Sequence, residues 1–215
     1  MGSYKSIHQY GQDEIIINKS KFICSVSPVR DEEEAIEFIE KIKKEFKEAS
    51  HNVYAYVIGE NSNIQRFTDD GEPSGTAGMP VLNVINHENL KNVAVVVTRY
   101  FGGILLGAGG LARAYAKSAK IGLEKGIIVD KKLFFEINTK IDYTTLGKIE
   151  NEFAKNNFIV KDKKYGENVD IAVLASDEEV ERLNNLINEI TNGKAELNIG
   201  QSSYYSINNQ GYIIE

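Results

Sequence analysis

The stretch VVVTRYFGGILLGAGGLARAY (residues 95–115) decides the fold of the N-terminal half, because it joins a strand to a helix through a cluster of glycines. The β-branched run at 93–97 is typical of a central strand that is buried on both faces. Residues 110–125 have the spacing of a helix, and Gly126 ends it. The glycines between these elements fit three interpretations: a dinucleotide loop, a phosphate site, or a turn that serves packing alone.

The dinucleotide interpretation rests on Gly107, Gly109 and Ala112, which match the G-x-G-x-x-[GA] pattern. In that fingerprint the first glycine sits at the end of the strand, whereas eight residues separate Thr98 from Gly107. Only one strand–helix–strand unit can be drawn here. We therefore expect no nicotinamide or flavin cofactor.

The packing interpretation rests on a stripe of small residues in the helix, formed by Ala112, Ala116 and Ala119. Such a stripe would let the helix approach the sheet closely. Gly102 to Gly110 would then form only the entry turn, since glycine adopts positive φ at low steric cost.

The phosphate interpretation rests on a basic helical face, because Arg113, Lys117 and Lys120 are spaced i, i+4 and i+7. Backbone N–H groups, the helix dipole and these cations together could hold an anion or an RNA backbone. Tyr100 and Phe101 could add a surface for base stacking. The sequence leaves this interpretation and the packing one open.

The loop TDDGEPSGTAGMP (68–80) carries three carboxylates, on Asp69, Asp70 and Glu72. They do not follow the calcium-loop pattern, so we expect no metal. An ion pair with Arg99 or Arg113 is the favoured interpretation, and we expect both arginines to lie near this loop.

Ser74 and Thr76 in the same loop invite comparison with a hydrolase nucleophile that has His51 as its base. The chain has no G-x-S-x-G elbow. Thr76 is placed to cap a helix running through residues 81–82, which is the plainer role.

The rest of the N-terminal half alternates strands and a helix. Residues 13–29 predict either one strand or a hairpin, with Asn18 and Lys19 between the two apolar runs. Asp31 is placed to cap a helix with Glu34 at the capping-box position. Further strands are predicted at 53–58 and 64–68.

A domain boundary is expected near residue 130, giving domains 1–129 and 130–215. The second follows a β-α-β-β-α-β order, the ferredoxin-like plan. Its helices are expected to begin at Asp142 and at Ser176 or Asp177. No chemistry-bearing cluster stands out, so we expect a binding or dimerisation domain and leave a homo-oligomer open.

Composition and charge narrow the class of protein. No apolar run approaches the roughly 20 residues of a membrane span, no secretory signal is apparent, and Cys24 is the only cysteine. We expect a cytoplasmic protein with no membrane partner. The net charge is −6, but residues 91–125 hold six basic side chains against Glu124 alone.

Four segments resemble the YigZ/IMPACT family in sequence and in order: SKFICSVSPV with EEEAIEFI (20–39), HNVYAY (51–56), DDGEPSGTAGMPVL (69–82) and NVAVVVTRYFGGILLGAGGLARAYAKSA (92–119). The resemblance implies an N-terminal domain like domain IV of elongation factor G, related to a ribosomal protein, and a C-terminal domain like its domain V. Both relatives work on the ribosome. It carries no established catalytic residues.

Eukaryotic members of that family regulate translation by interfering with activation of a starvation-sensing kinase, and they carry an extra N-terminal domain. This sequence begins almost directly at the shared domain, so we do not expect the kinase-regulating role.

We therefore expect an α+β protein of two domains that acts as a non-enzymatic regulator of translation and binds RNA, the ribosome or a translation-related protein. The alternative is a hydrolase of a small phosphorylated or peptide substrate between residues 69–80 and 99–113. The expected binding residues are Asp69, Asp70, Glu72, Ser74, Thr76, Arg99, Tyr100, Phe101, Gly102, Gly103, Gly107, Gly109, Gly110, Arg113, Lys117 and Lys120.

Overall fold

The computed structural model describes residues 3–208 and 210–214, and it is α+β as predicted. Two compact units divide the chain, one spanning Tyr4–Asp130 and the other continuing from Lys131. In the described part of the chain, no helix is long and apolar enough to cross a membrane.

The N-terminal unit contains the predicted strands and helices, preceded by a strand at Tyr4–Ile7 that was not predicted. Its elements are β1 (Tyr4–Ile7), β2 (Gly11–Ile17), β3 (Ser20–Pro28), α1 (Glu32–Glu45), β4 (His51–Ile58), β5 (Ile64–Thr68), α2 (Gly78–His87), β6 (Val93–Tyr100) and α3 (Gly107–Lys125). A five-stranded sheet has the order β2-β3-β6-β4-β5. β6 is antiparallel to both β3 and β4, so the predicted central strand is confirmed.

Helices cover both faces of this sheet, which is why β6 is apolar at consecutive positions. α1 packs on one face, where Ala94 and Val96 join its buried residues. α2 and α3 pack on the other face, where Val93, Val95 and Val97 join theirs.

The predicted hairpin between β2 and β3 is confirmed, since Asn18 and Lys19 have φ values of 46° and 65°. The cap of α1 is half confirmed. The Asp31 carboxylate accepts the Glu34 N–H at 2.9 Å. Glu34, however, accepts the N–H of Arg30 rather than that of Asp31, because an ion pair with the Arg30 guanidinium holds its carboxylate one residue further upstream.

The predicted alanine stripe of α3 is wrong at two of its three positions, because Ala119 is buried but Ala112 and Ala116 are half-buried. Leu111 and Tyr115 set the phase of the helix, and they turn a different set of small residues inward. The buried residues of α3 are Leu111, Ala114, Tyr115, Ser118, Ala119, Gly122 and Leu123. A Cβ on Gly122 would lie 2.3 Å from the Cys24 sulfur of β3, so the helix does approach the sheet closely.

The second unit has the predicted β-α-β-β-α-β order. Its elements are β7 (Ile128–Ile141), which begins before the division between the units, α4 (Tyr143–Lys155), β8 (Ile159–Tyr165), β9 (Val169–Ala175), α5 (Asp177–Thr191) and β10 (Glu196–Ile207). The strands are ordered β10-β7-β9-β8, as in the ferredoxin-like plan. β9 is antiparallel to β7 and β8.

The two helices of this unit begin differently from one another. Of the two predicted caps of α5, Ser176 is the one that precedes the helix, and it forms a capping box with Glu179 that was not predicted from the sequence. Asp142 stands at the start of α4, but its side chain makes no capping hydrogen bond, so that part of the prediction is wrong. Its carbonyl oxygen instead accepts both the N–H and the hydroxyl of Thr145, at 3.1 and 2.9 Å.

Candidate functional site

Asp69 organises the acidic loop between β5 and α2. Its carboxylate accepts three backbone N–H groups, from Gly75 at 2.8 Å, Ala77 at 3.0 Å and Gly78 at 2.8 Å. Burial raises the pKa of Asp69, but the three hydrogen bonds outweigh burial and lower it overall. Asp69 thereby satisfies the first N–H groups of α2. The predicted cap by Thr76 is wrong, because its hydroxyl donates to the carbonyl oxygen of Pro73 at 2.6 Å.

We expect Asp69→Ala to lower the free energy of unfolding of the N-terminal unit by about 2 kcal/mol at pH 7, since it removes a helix cap and leaves N–H groups unpaired. The folded-state pKa is lowered, so the stabilisation is present above the unfolded value of about 4 and is lost as the pH falls through the folded value. Amide hydrogen exchange of β6 in the parent and in Asp69→Ala, at pH 7 and at pH 3, measures the loss of unfolding free energy and its pH dependence. A loss of the same size at both pH values would contradict this role of the Asp69 carboxylate.

Asp70 and His51 join the loop to β4. The Asp70 carboxylate accepts the Asn52 N–H at 2.5 Å, and the His51 Nδ1 lies 2.7 Å from the Asp70 carbonyl oxygen. A carbonyl only accepts, so Nδ1 carries the proton. The other ring nitrogen lies 3.8 Å from Glu72 Oε1. Among the described residues no hydrogen bond links His51 to the exposed Ser74.

The carboxylate of Glu72 is the centre of a buried polar network. Its Oε1 accepts a hydrogen bond from Arg99 Nη1 at 2.6 Å and another from the Tyr115 hydroxyl at 2.7 Å. The side chains of Glu72 and Arg99 are 4% and 5% exposed. Burial, and then the bond to Glu72, raise the pKa of Tyr115 well above its usual range. The predicted ion pair is thus present, and its partners are Glu72 and Arg99.

The remaining contacts of Arg99, which lies in β6, are to β3 and to the loop that follows β6. Nη2 donates to Ser20 Oγ at 3.2 Å, and the Gly102 N–H donates to the same oxygen at 3.2 Å. The rings of Phe22 and Phe101 each lie 5.4 Å from the guanidinium carbon. Nε is buried without a hydrogen-bond partner among the described residues. The arginine therefore ties β3, β6 and the acidic loop together.

The glycine loop, residues 101–106 between β6 and α3, begins where Gly102 lies against the backbone of the β2–β3 hairpin. A Cβ on Gly102 would lie 2.0 Å from the carbonyl carbon of Lys19, so only glycine fits there. Gly103 has a φ of 82° and Gly107 a φ of 67°. The helix then begins at Gly107, so the predicted turn from Gly102 to Gly110 is too long and its last four residues are helical.

The start of α3 is open to solvent. Leu106 precedes the helix and provides no side-chain cap, and residues 107–109 are exposed. The first N–H groups of the helix are therefore not taken by a capping side chain. Three apolar side chains of the preceding loop are also exposed, those of Phe101 at 48%, Ile104 at 41% and Leu105 at 86%.

The predicted basic face of α3 is exposed, since Arg113, Lys117 and Lys120 all point away from the sheet. Within the described residues none of the three forms an ion pair. In the described part of the chain no hydrogen bond or ion pair joins Arg113 to the acidic loop, so the expectation that it lies near this loop is not supported. Its guanidinium instead lies by the first turn of its own helix, where Nη1 would be 3.7 Å from a Cβ on Gly109.

The sequence-predicted residues therefore fall into separate environments. The acidic-loop residues and Arg99 serve the loop and the buried network, while Phe101 and the α3 cations face solvent. Tyr100 ends β6 half-buried. Sequence reasoning missed Ser20 and Tyr115. Tyr115 follows Leu111 by one helical turn, which is a signal for burial, but nothing in the sequence pointed its hydroxyl at Glu72.

Two families match the chain, one in each unit. Residues 18–123 match the Impact N-terminal domain, and this range includes the acidic loop, the buried network and α3 up to residue 123. Residues 139–194 match a domain of unknown function, DUF1949.

The relatives extend over most of the chain. "IMPACT family member YvyE" from Bacillus subtilis (strain 168) is 50% identical over 202 residues, covering 94% of this chain and 93% of the relative. "IMPACT family member YigZ" from Escherichia coli (strain K12) is 37% identical over 136 residues, covering 62% and 67%. A solved structure titled "Crystal structure of an hypothetical protein" is similar with a TM-score of 0.60 and 28% identity, covering 94% of this chain and 98% of that one. The chain belongs to the IMPACT family.

Proposed function

We propose that this protein is a non-enzymatic, cytoplasmic regulator of translation, and that its N-terminal unit binds RNA of the ribosome or of a translation complex. The observation that carries the proposal is the exposed surface of α3. It presents cations without ion-pair partners in the described residues, beside a helix start that no side chain caps. Family membership and the translational role expected of the eukaryotic members support it.

The chemistry of this surface suits phosphate. Uncapped N–H groups and the positive end of the helix dipole attract anions. Arg113 adds a planar donor that matches phosphate geometry, and its guanidinium lies beside the first turn at Gly109. Lys117 lies one turn further along the same exposed face. An RNA backbone following α3 would meet these groups in succession.

The alternative of a hydrolase receives less support from the acidic loop. The carboxylates of Asp69, Asp70 and Glu72 all accept hydrogen bonds from this chain's own N–H and O–H groups. Such bonds hold the loop in shape and leave these groups engaged before any substrate arrives. Turnover in a substrate panel that is lost in Ser74→Ala would favour the hydrolase over the binding protein.

The second unit, whose sequence is acidic, is proposed to contact a protein or a second copy.

We expect the double variant Arg113→Ala/Lys117→Ala to weaken RNA binding by about tenfold or more in 0.1 M salt, because two charge-assisted phosphate contacts are removed. The dependence of log affinity on log salt should flatten by about 1.4, the value for two phosphates of a single strand. Fluorescence anisotropy with a labelled RNA measures both quantities.

The matched control is Lys41→Ala/Lys44→Ala, which removes the same charge from exposed positions of α1 on the opposite face of the sheet. We expect it to bind nearly as the parent does. Equal losses in the two double variants would mean that net charge, and not the α3 surface, governs binding.

A further inference from the structure

Phe101 is an exposed aromatic ring that the protein holds in place. Its N–H donates to Ser50 Oγ at 3.1 Å. The Arg99 guanidinium lies 5.4 Å from its ring centroid, as a cation–π contact. The side chain is nevertheless 48% exposed. Phe101 is thus anchored on one side and open to solvent on the other, with little freedom to lose on binding a ligand.

The electronic character of this ring favours a particular ligand. A cation on one face of an aromatic ring draws electron density toward itself and leaves the opposite face less negative. Such a face stacks well on an electron-rich ring. Because Arg99 is itself buried and paired with Glu72, it stays on the inner side and leaves the outer face of Phe101 to the ligand.

The surroundings of Phe101 are apolar first and basic next. Ile104 and Leu105 are exposed in the same loop, and the α3 cations Arg113 and Lys117 follow on the exposed face of the helix. Phosphate alone would not contact the apolar side chains of the loop, and an apolar ligand would not pair with the cations. A ligand that uses both has flat rings and a polyanionic backbone, which describes a nucleic acid.

Only unpaired nucleotides offer the flat faces that this loop can use. In a duplex each base is covered above and below by its neighbours, and proteins reach its edges through the grooves. Unstacked bases of a single strand are free to stack on aromatic side chains. We propose that the loop 101–106 stacks on an unpaired nucleobase through Phe101, so that the protein selects single-stranded over double-stranded RNA. This inference rests on the RNA binding proposed above.

The test compares a labelled 12-nucleotide RNA without self-complementarity with the duplex of the same strand, by fluorescence anisotropy. We expect the parent to prefer the single strand by about fivefold or more. Phe101→Ala should lose about 5- to 150-fold in affinity for the single strand, the range for one stacked base. Its duplex affinity and its salt slope should stay unchanged, since no phosphate contact is removed. Phe101→Tyr should bind as the parent does.

Tyr10→Ala is the matched control for the loss of an exposed ring. Tyr10 is 47% exposed and precedes Gly11, which pairs with Val26 at the far end of the sheet from Phe101. We expect this variant to keep the preference of the parent. A second readout uses the absence of tryptophan from the chain. In Phe101→Trp the only tryptophan should be quenched by the single strand and left unchanged by the duplex.

The outcomes separate the two proposals. Equal affinity for single strand and duplex, with no effect of Phe101→Ala, would overturn the stacking inference and leave RNA binding by the α3 cations intact. Binding of neither RNA by the parent would overturn both proposals. A nuclease-resistant protein partner that loses affinity in Phe101→Ala, with neither RNA bound, would assign the surface to protein recognition and overturn both as well.

Discussion

Replacing Glu72 by alanine should lower the free energy of unfolding of the N-terminal unit by about 3–5 kcal/mol, the usual effect of removing one partner from a buried ion pair. The reason is that Arg99, whose side chain is 5% exposed, would keep its charge without the carboxylate that pairs with it. The Tyr115 hydroxyl would lose its acceptor as well. Amide hydrogen exchange of β6 reports this unit and measures the loss.

Two further variants test whether charge or packing causes the effect. Glu72→Gln keeps an oxygen acceptor for Arg99 and Tyr115 but not the charge, so we expect a smaller loss than in Glu72→Ala. In Glu72→Met/Arg99→Met no charge is left unpaired, and we expect it to be more stable than the sum of the single changes indicates. Strict additivity of the two single changes would show that the pair is not coupled, contrary to the structure.

Gly102→Ala should destabilise the N-terminal unit by about 3 kcal/mol, at the upper end of the range for overpacking. The added Cβ would lie 2.0 Å from the carbonyl carbon of Lys19 and 2.4 Å from the Ser20 nitrogen. These are backbone atoms of a tight hairpin, so no side chain can rotate away to relieve the clash. Displacing the loop would also break the bond from the Gly102 N–H to Ser20 Oγ. Thermal unfolding and β6 hydrogen exchange measure the effect.

Gly109→Ala is the matched control, with the same added methyl group in the same glycine cluster. The nearest atom would be Arg113 Nη1 at 3.7 Å, which is ordinary contact. Since the position is helical, alanine should stabilise the protein by up to about 1 kcal/mol. Similar destabilisation in Gly102→Ala and Gly109→Ala would contradict the distinction drawn between the turn and the helix.

The architecture could be predicted from the sequence because each strand and helix has a recognisable hydrophobic pattern. The run at 93–97 is apolar at every position, which is the pattern of a strand covered on both faces. The order of strands and helices in the second unit predicted its sheet topology. Helix phase was harder to predict, since alanines occur on several faces of α3 and only packing against Cys24 and its neighbours selects the buried one.

The contacts of the site were harder to predict from the sequence, because side chains that pair across long sequence separations leave no periodic pattern. The pattern predicted that an acidic-loop carboxylate would pair with an arginine, and Glu72 and Arg99 do so. It could not predict that Ser20 and Tyr115 complete the network, since these contacts depend on how β3 and α3 pack. Nor did it predict that the Asp69 carboxylate would accept the N–H at the start of α2, in place of Thr76, which lies closer to the helix in the sequence.

Ribosome co-sedimentation across a salt series tests the central proposal most directly. The parent protein should pellet with ribosomes at about 0.05 M salt and be released progressively as the salt rises toward about 0.2 M, as backbone-dominated binding requires. Arg113→Ala/Lys117→Ala should be released at lower salt, while Lys41→Ala/Lys44→Ala follows the parent. Failure of the parent to co-sediment at any salt, or co-sedimentation of the Arg113/Lys117 double variant identical to that of the parent, would contradict the proposal that the α3 surface binds ribosomal RNA.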